Sequence, residues 1–222
     1  MGEHVPVNPI LRVLGLGLLE SIASRLSPLA ATVVQFTLII GGSLLPIIPL
    51  LTGAIHLADL LAYTVLGMAL SIAGTLIRLR TMKKRSKATT FLMLHYSIMI
   101  GILCLVCGVW AVILLVHAGP SGGWIGLLPM AIALVLAHGW SLADGWFTRG
   151  GRYVVTEGQV VLPGYLRFAP LLFATVLGAS AYLGDGSEWQ LVAIAVGLVL
   201  AQTVIDLGMA LWAVKLHSRV AA

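Results

Sequence analysis

Charge is scarce in this sequence. Of 222 residues only 9% are Asp, Glu, Lys or Arg, while 59% are hydrophobic. A soluble domain carries about 25% charged residues. The chain has too few polar groups to coat a water-facing globule, so an ordinary soluble enzyme or binding domain is excluded. Cysteine is nearly absent. Cys104 and Cys107 lie three apart inside one apolar run, where they read as buried small residues rather than a metal pair, and they say nothing about redox compartment. Catalytic signatures are missing too: there is no phosphate-cradling glycine loop, HExxH helix, CxxC pair or nucleophile elbow, and "GGRY" lacks the strand–turn–helix setting such motifs need. The opening "MGEHVPVNPILR" has no charged start followed by an apolar core and a small-residue cleavage site, so no cleaved signal peptide is expected.

What the chain does have is apolar length. Runs of roughly 20 apolar residues, each long enough to cross a bilayer, fall at about 29–51, 56–77, 91–117, 124–143, 168–184 and 189–214. Only helices or a closed barrel satisfy the backbone in lipid. The runs lack the period-2 alternation of barrel strands, so they are helices. The expected fold is all-α: a polytopic bundle of six transmembrane helices forming one domain over 29–219, preceded by a tail and an interfacial helix within 1–28. The stretch "ILRVLGLGLLESIASRL" at 10–26 is helical in pattern but carries Arg12, Glu20 and Arg25, which fits a helix lying in the interface better than a seventh span. Pro46 and Pro49 predict a kinked or unwound end to the first span.

The net charge of +5 comes from short basic clusters between the runs. In this setting they fix topology and touch anionic lipid rather than nucleic acid. Arg12 and Arg25 precede the first span. Arg78, Arg80, Lys83, Lys84, Arg85 and Lys87 follow the second, Arg149, Arg152 and Arg167 the fourth, and Lys215 and Arg219 the sixth. Six spans put them all on one side, which predicts cytoplasmic termini. The longest connection, 148–167, reads either as a short hairpin around Glu157-Gly158 or as a plain loop.

Small residues allow close helix approach where lipid removes the hydrophobic drive. The expected packing ridges are Gly67 and Ser71, then Ala174 and Gly178, then Ala193, Gly197 and Ala201. Their partners are helices of this chain or of another, so other membrane chains or a homo-oligomer are the expected partners. Trp124, Trp140, Trp146 and Trp189 stand at span ends, where amphipathic rings favour the interface.

Ionisable groups at membrane depth mark functional candidates. Asp206, with Gln202 one turn before it on the same face, lies well inside the sixth span. His95 and His138 sit at matching depth in the third and fourth spans, in the same leaflet as Asp206, with Tyr96, Ser97 and Ser141 as hydrogen-bonding neighbours. Such a group fits either a helix lock or a site for a proton, a cation or a polar ligand. Facing histidines also fit metal or axial haem ligation, with His95 and His138 as the ligands. A weaker outer set, His56, Asp59 and His117, is explained by loop-edge polarity as well as by a cation site.

The stretches "TTFLMLHYSIMIG", "LAHGWSLADGWFTRGGRY", "LPGYLRFAP" and "QTVIDLGMALWAVKLHSR" resemble a family of uncharacterised bacterial multi-pass membrane proteins, a domain of unknown function. The resemblance covers about residues 50–219. The positions that match are His95, Tyr96, His138, Gly139 and Asp206, and more loosely Pro163, Tyr165 and Arg167. "LAYTVLG" departs by lacking an aromatic-then-acidic pair. The resemblance implies a multi-pass protein of the bacterial inner membrane and brings no activity with it. The leading function is a non-enzymatic accessory or interaction subunit of a membrane assembly; the alternatives are a small proton-coupled transporter using the His/Asp group and a haem or metal protein.

Overall fold

The computed structural model describes residues 12–13, 15–118, 124–184 and 186–221. All regular structure among them is helical. The α-helices are α1 (Gly17–Arg25), α2 (Pro28–Leu44), α3 (Ile47–Leu51), α4 (Leu57–Thr81), α5 (Ala88–Ala118), α6 (Trp124–Trp140), α7 (Gly151–Val154), α8 (Glu157–Leu183) and α9 (Glu188–Ala221). A π-helical segment, Ser141–Thr148, continues α6. Six stretches among the described residues are long and apolar enough to cross a membrane: Pro28–Leu51, Leu57–Thr81, Ala88–His117, Leu127–Thr148, Glu157–Leu183 and Glu188–Lys215. The helical membrane bundle expected from composition is therefore present, with six spans.

The helix boundaries follow local chemistry. Ser27 caps α2, its hydroxyl accepting from the Ala30 N–H, and Pro28 takes the first turn, where its missing N–H is harmless. The break between α2 and α3 falls at Leu45–Pro46, where proline removes a helical donor. Gly53 then turns the chain at φ 70°, a left-handed conformation that favours glycine. At the start of α4, Asp59 Oδ2 accepts from the His56 N–H at 2.8 Å as half of a reciprocal cap. Two members of the weak outer set thus cap the start of a helix.

The connection at 148–167 corrects the expectation. It is neither hairpin nor plain loop: α7 and the first three turns of α8 occupy it, and the fifth span begins at Glu157 rather than near 168. The Thr156–Gln159 capping box starts α8, with Gln159 Oε1 accepting from the Thr156 N–H at 2.9 Å. Pro163 and Pro170 lie inside this helix, as prolines do in membrane helices where neighbours satisfy the freed carbonyls. Arg167 is therefore a residue of a span, not of a loop, and Arg78 likewise belongs to the last turn of α4.

Five long helices close a ring. In order of contact, α2 packs on α6, α6 on α4, α4 on α8, α8 on α9, and α9 back on α2. Helix α5 lies outside the ring against α4 and α8, and α1 rests on α6 and the π segment. Of the expected ridges, Gly178 lets Leu57 approach so closely that an added Cβ would lie 2.7 Å from its Cδ2. A Cβ on Gly67 would lie 3.3 Å from Leu134, and Ser71 and Ala174 are buried. The α9 ridge faces away: Ala193 and Gly197 are exposed and Ala201 is half-buried. Cys107 is buried, Cys104 half-buried, and both are free thiols.

Trp140 and Trp146 are also corrected. Each is 3% exposed, so they are core residues, not interfacial anchors, because α6 and the π segment continue past them instead of ending there. Trp189 is exposed; the side chain of Trp124 lies outside the described set, as do His4 and the side chain of His217. Trp146 donates its Nε1–H to Thr81 Oγ1 at 2.7 Å. Replacing Trp146 with phenylalanine should remove about 1 kcal/mol from that bond alone, plus the packing of the larger ring, as read from equilibrium unfolding in mixed micelles.

The basic end is tied together. The Lys83 N–H donates to the Arg152 carbonyl at 2.9 Å. Glu157 Oε1 accepts from the Ser86 N–H and from Thr89 Oγ1, both at 2.8 Å. These bonds join the basic loop after α4 to α7 and to the starts of α5 and α8.

Candidate functional site

The ring encloses a cavity of about 820 Å³, lined by α2, α4, α6, the π segment, α7, α8 and α9, with no residue from α5. Its lining reaches from Arg78 to Leu60 along α4, a distance of about 27 Å at 1.5 Å per residue. That is close to the hydrocarbon thickness of a bilayer, about 30 Å.

Its charged residues are Arg78, Asp144, Arg149, Arg167 and Asp206. Arg167 Nε donates to Asp206 Oδ1 at 2.5 Å, and Arg167 Nη1 donates to Ser71 Oγ at 3.2 Å. This links α8, α9 and α4. By helix rise, Arg167 lies about 15 Å from the start of α8, Asp206 about 14 Å from Lys215, and Ser71 about 15 Å from the end of α4. The pair is thus at mid-membrane depth, where an unpaired charge is expensive. Neither partner is sealed: the side chains are 22% and 20% exposed, towards the cavity they line.

Arg149 Nε is shared by both oxygens of Asp144 at 2.9 Å each. Arg78 Nη2 donates to Ser141 Oγ at 2.9 Å. His138 points Nδ1 at the Leu134 carbonyl, 3.0 Å away. A carbonyl only accepts, so Nδ1 carries the hydrogen and the neutral ring leaves Nε2 as its acceptor. That Nε2 is buried without a hydrogen-bond partner among the described residues.

The expected residues divide. His138, Gln202 and Asp206 all line this one cavity. His95 does not join them: it is exposed on α5, stacked on Phe91 with ring centroids 5.7 Å apart and planes 14° apart. The two histidines that share a depth do not share a space, so they are not placed to be the two axial ligands of one iron. Among the described residues no group of three or more His, Cys, Asp or Glu side chains is placed to hold a metal ion. In the outer set, His117 Nδ1 is bonded to the Ile113 carbonyl at 2.9 Å and its ring meets Tyr182 edge-on.

The sequence reading missed the arginines that make the cavity charged. By charge patterning Arg78, Arg149 and Arg167 are loop cations; in the structure they line the cavity. One signal marked Arg167: a Thr and a Gln three apart at 156 and 159 announce a helix start, which carries Arg167 into the span.

Six membrane-length helices, five of them gathered round a charged cavity, define a multi-pass helical membrane protein. The chain belongs to the family of unknown function DUF6498, which matches residues 25–222. The match extends further towards the N-terminus than the resemblance noted from residue 50. Comparison with curated proteins and with solved structures gives no match.

Proposed function

We propose that this protein is a small proton-coupled transporter working through the five-helix cavity, with Asp206 as the group that exchanges a proton. One observation carries the reading: the Arg167–Asp206 pair lies at mid-membrane depth and opens to the cavity instead of being sealed between helices. A pair that only locks helices gains nothing from exposure. A pair bordering a cavity can be reached by a proton or a solute. Protonating Asp206 removes the negative partner of Arg167 and frees the guanidinium, still within reach of Ser71, for an incoming anion. His138 and Gln202 line the same space. In this reading the basic loops and both termini face the cytoplasm of a bacterial inner membrane.

The test is proton movement in proteoliposomes holding a pH-sensitive dye, with organic anions added outside. Wild-type protein should give anion-stimulated, pH-dependent acidification, and Asp206→Asn should abolish it while the helical circular dichroism stays unchanged. Asp206→Asn working with the wild-type pH profile would remove Asp206 from the mechanism.

A second reading, an accessory subunit, is favoured by the outward ridge of α9, where Gly197 has no atom within 4 Å of an added Cβ. It predicts an oligomer or a copurifying membrane chain in native mass spectrometry, and a clean monomer would count against it.

A further inference from the structure

Arg78 is the unusual residue of the cavity. It stands one turn from the end of α4, beside the basic loop, where a long cationic side chain can reach back to the headgroup layer. It does the opposite. An added Cβ on Gly74 would lie 3.6 Å from Arg78 Nη1, so the guanidinium folds back one turn towards the middle of the membrane. Helix geometry favours this, since side chains lean towards the helix N-terminus, and the N-terminus of α4 is at the far end. Its hydrogen-bond partner there is the neutral Ser141 hydroxyl.

The other two arginines of the cavity are each matched by an aspartate, Arg149 by Asp144 and Arg167 by Asp206. Among the described residues no carboxylate lies within ion-pairing distance of Arg78. The cavity lining therefore carries one more cation than anion, at a depth where uncompensated charge is disfavoured. A bound anion would supply the missing charge.

The rest of the lining says what is attached to that anion. Away from Arg78 the wall is mostly apolar: Leu38, Ile39 and Gly42 on α2, Pro46 just beyond it and Leu60 on α4 line it, with Ser43, Tyr63 and Thr64 as the polar residues among them. A small hydrated anion has no use for that half. We propose that the cavity takes a single-tailed anionic amphiphile, its headgroup oxygens on Arg78 and Ser141 and its tail along the apolar wall of α2 and α4. This rests on the transporter reading and names the substrate class. Arg favours phosphate and carboxylate because its planar fork presents parallel donors.

Binding is to be measured by native mass spectrometry of the full chain in micelles of a neutral polyoxyethylene detergent. The probes are inorganic phosphate, butyl phosphate, dodecyl phosphate and dodecyltrimethylammonium. Affinity should rise in order through the three phosphates, and the cationic amphiphile should not bind. Arg78→Gln should weaken dodecyl phosphate at least about tenfold, the loss of one charge-assisted bond, and Arg78→Lys should retain part of the binding.

Inorganic phosphate binding as tightly as dodecyl phosphate would overturn the amphiphile and leave a free-anion site. Equal binding of the cationic and anionic amphiphiles would overturn the charge selection, and wild-type affinity in Arg78→Gln would overturn the role of Arg78. If Arg78→Gln fails to fold, the probe series on the wild-type chain still decides the ligand class. Proton flux that depends on Asp206 without any dodecyl phosphate binding would sink this inference and leave the transporter reading standing.

Discussion

Replacing Arg167 with leucine should lower stability by about 3 kcal/mol, and replacing Asp206 with leucine in the same chain should restore most of the loss. Breaking a buried ion pair from one side typically costs about 3–5 kcal/mol, because the other charge stays behind. The lower figure applies here because each side chain is about a fifth exposed, so cavity water offsets part of the penalty. Removing both charges leaves apolar groups in an apolar bundle, a change that is often neutral. Unfolding of the two single variants and the double variant by SDS in mixed micelles measures the coupling. If the single losses simply add in the double variant, the pair is not a unit.

The second large effect is expected at Gly164. A Cβ there would overlap the Tyr96 hydroxyl and lie 2.6 and 2.8 Å from two ring carbons. Tyr96 is 0% exposed and packs edge-on against Tyr165 at 5.5 Å, so it cannot swing clear. Gly164→Ala should therefore cost about 3 kcal/mol, the upper end of ordinary overpacking. It should also loosen the seat of α5 against α8. Tyr96→Phe in the same chain removes the hydroxyl but not the close ring carbons, so it should recover only part of the loss. Recovery of nothing would place the strain elsewhere in the α8 backbone.

Much of this architecture was legible because lipid leaves few options. A span must be a long apolar helix, so counting runs found six, and depth alone picked out His138, Gln202 and Asp206. Depth does not encode rotation about the helix axis. His95 passes the same depth test as His138, yet it sits on the one long helix outside the ring and faces outward. The small-residue ridges show the same ambiguity: Gly67 and Gly178 meet neighbours, whereas Gly197, identical by spacing, does not.

Arg167 was lost for a different reason. The continuous apolar run starts only near 168, because Glu157, Gln159 and Arg167 make the first turns of α8 too polar to be counted in it. Asp144 falls just outside an apolar run bounded at 143, whereas the helical stretch continues to Thr148.

Asp144 also ties chemistry to backbone phase. Residues five apart in an α-helix point about 140° away from each other, yet Arg149 grips Asp144 with its side chain and also bonds its carbonyl through the backbone N–H at 2.8 Å. Thr148 Oγ1 reaches the Ala143 carbonyl over the same interval. Only the wider π register brings such residues together. The ion pair and the register are therefore one event: winding Ser141–Thr148 into α form would turn Arg149 away from Asp144, part a cation and an anion of the cavity wall, and rotate the chain beyond it relative to His138. Whatever carries charge into this cavity acts on the phase of a helix as well as on a pair of side chains.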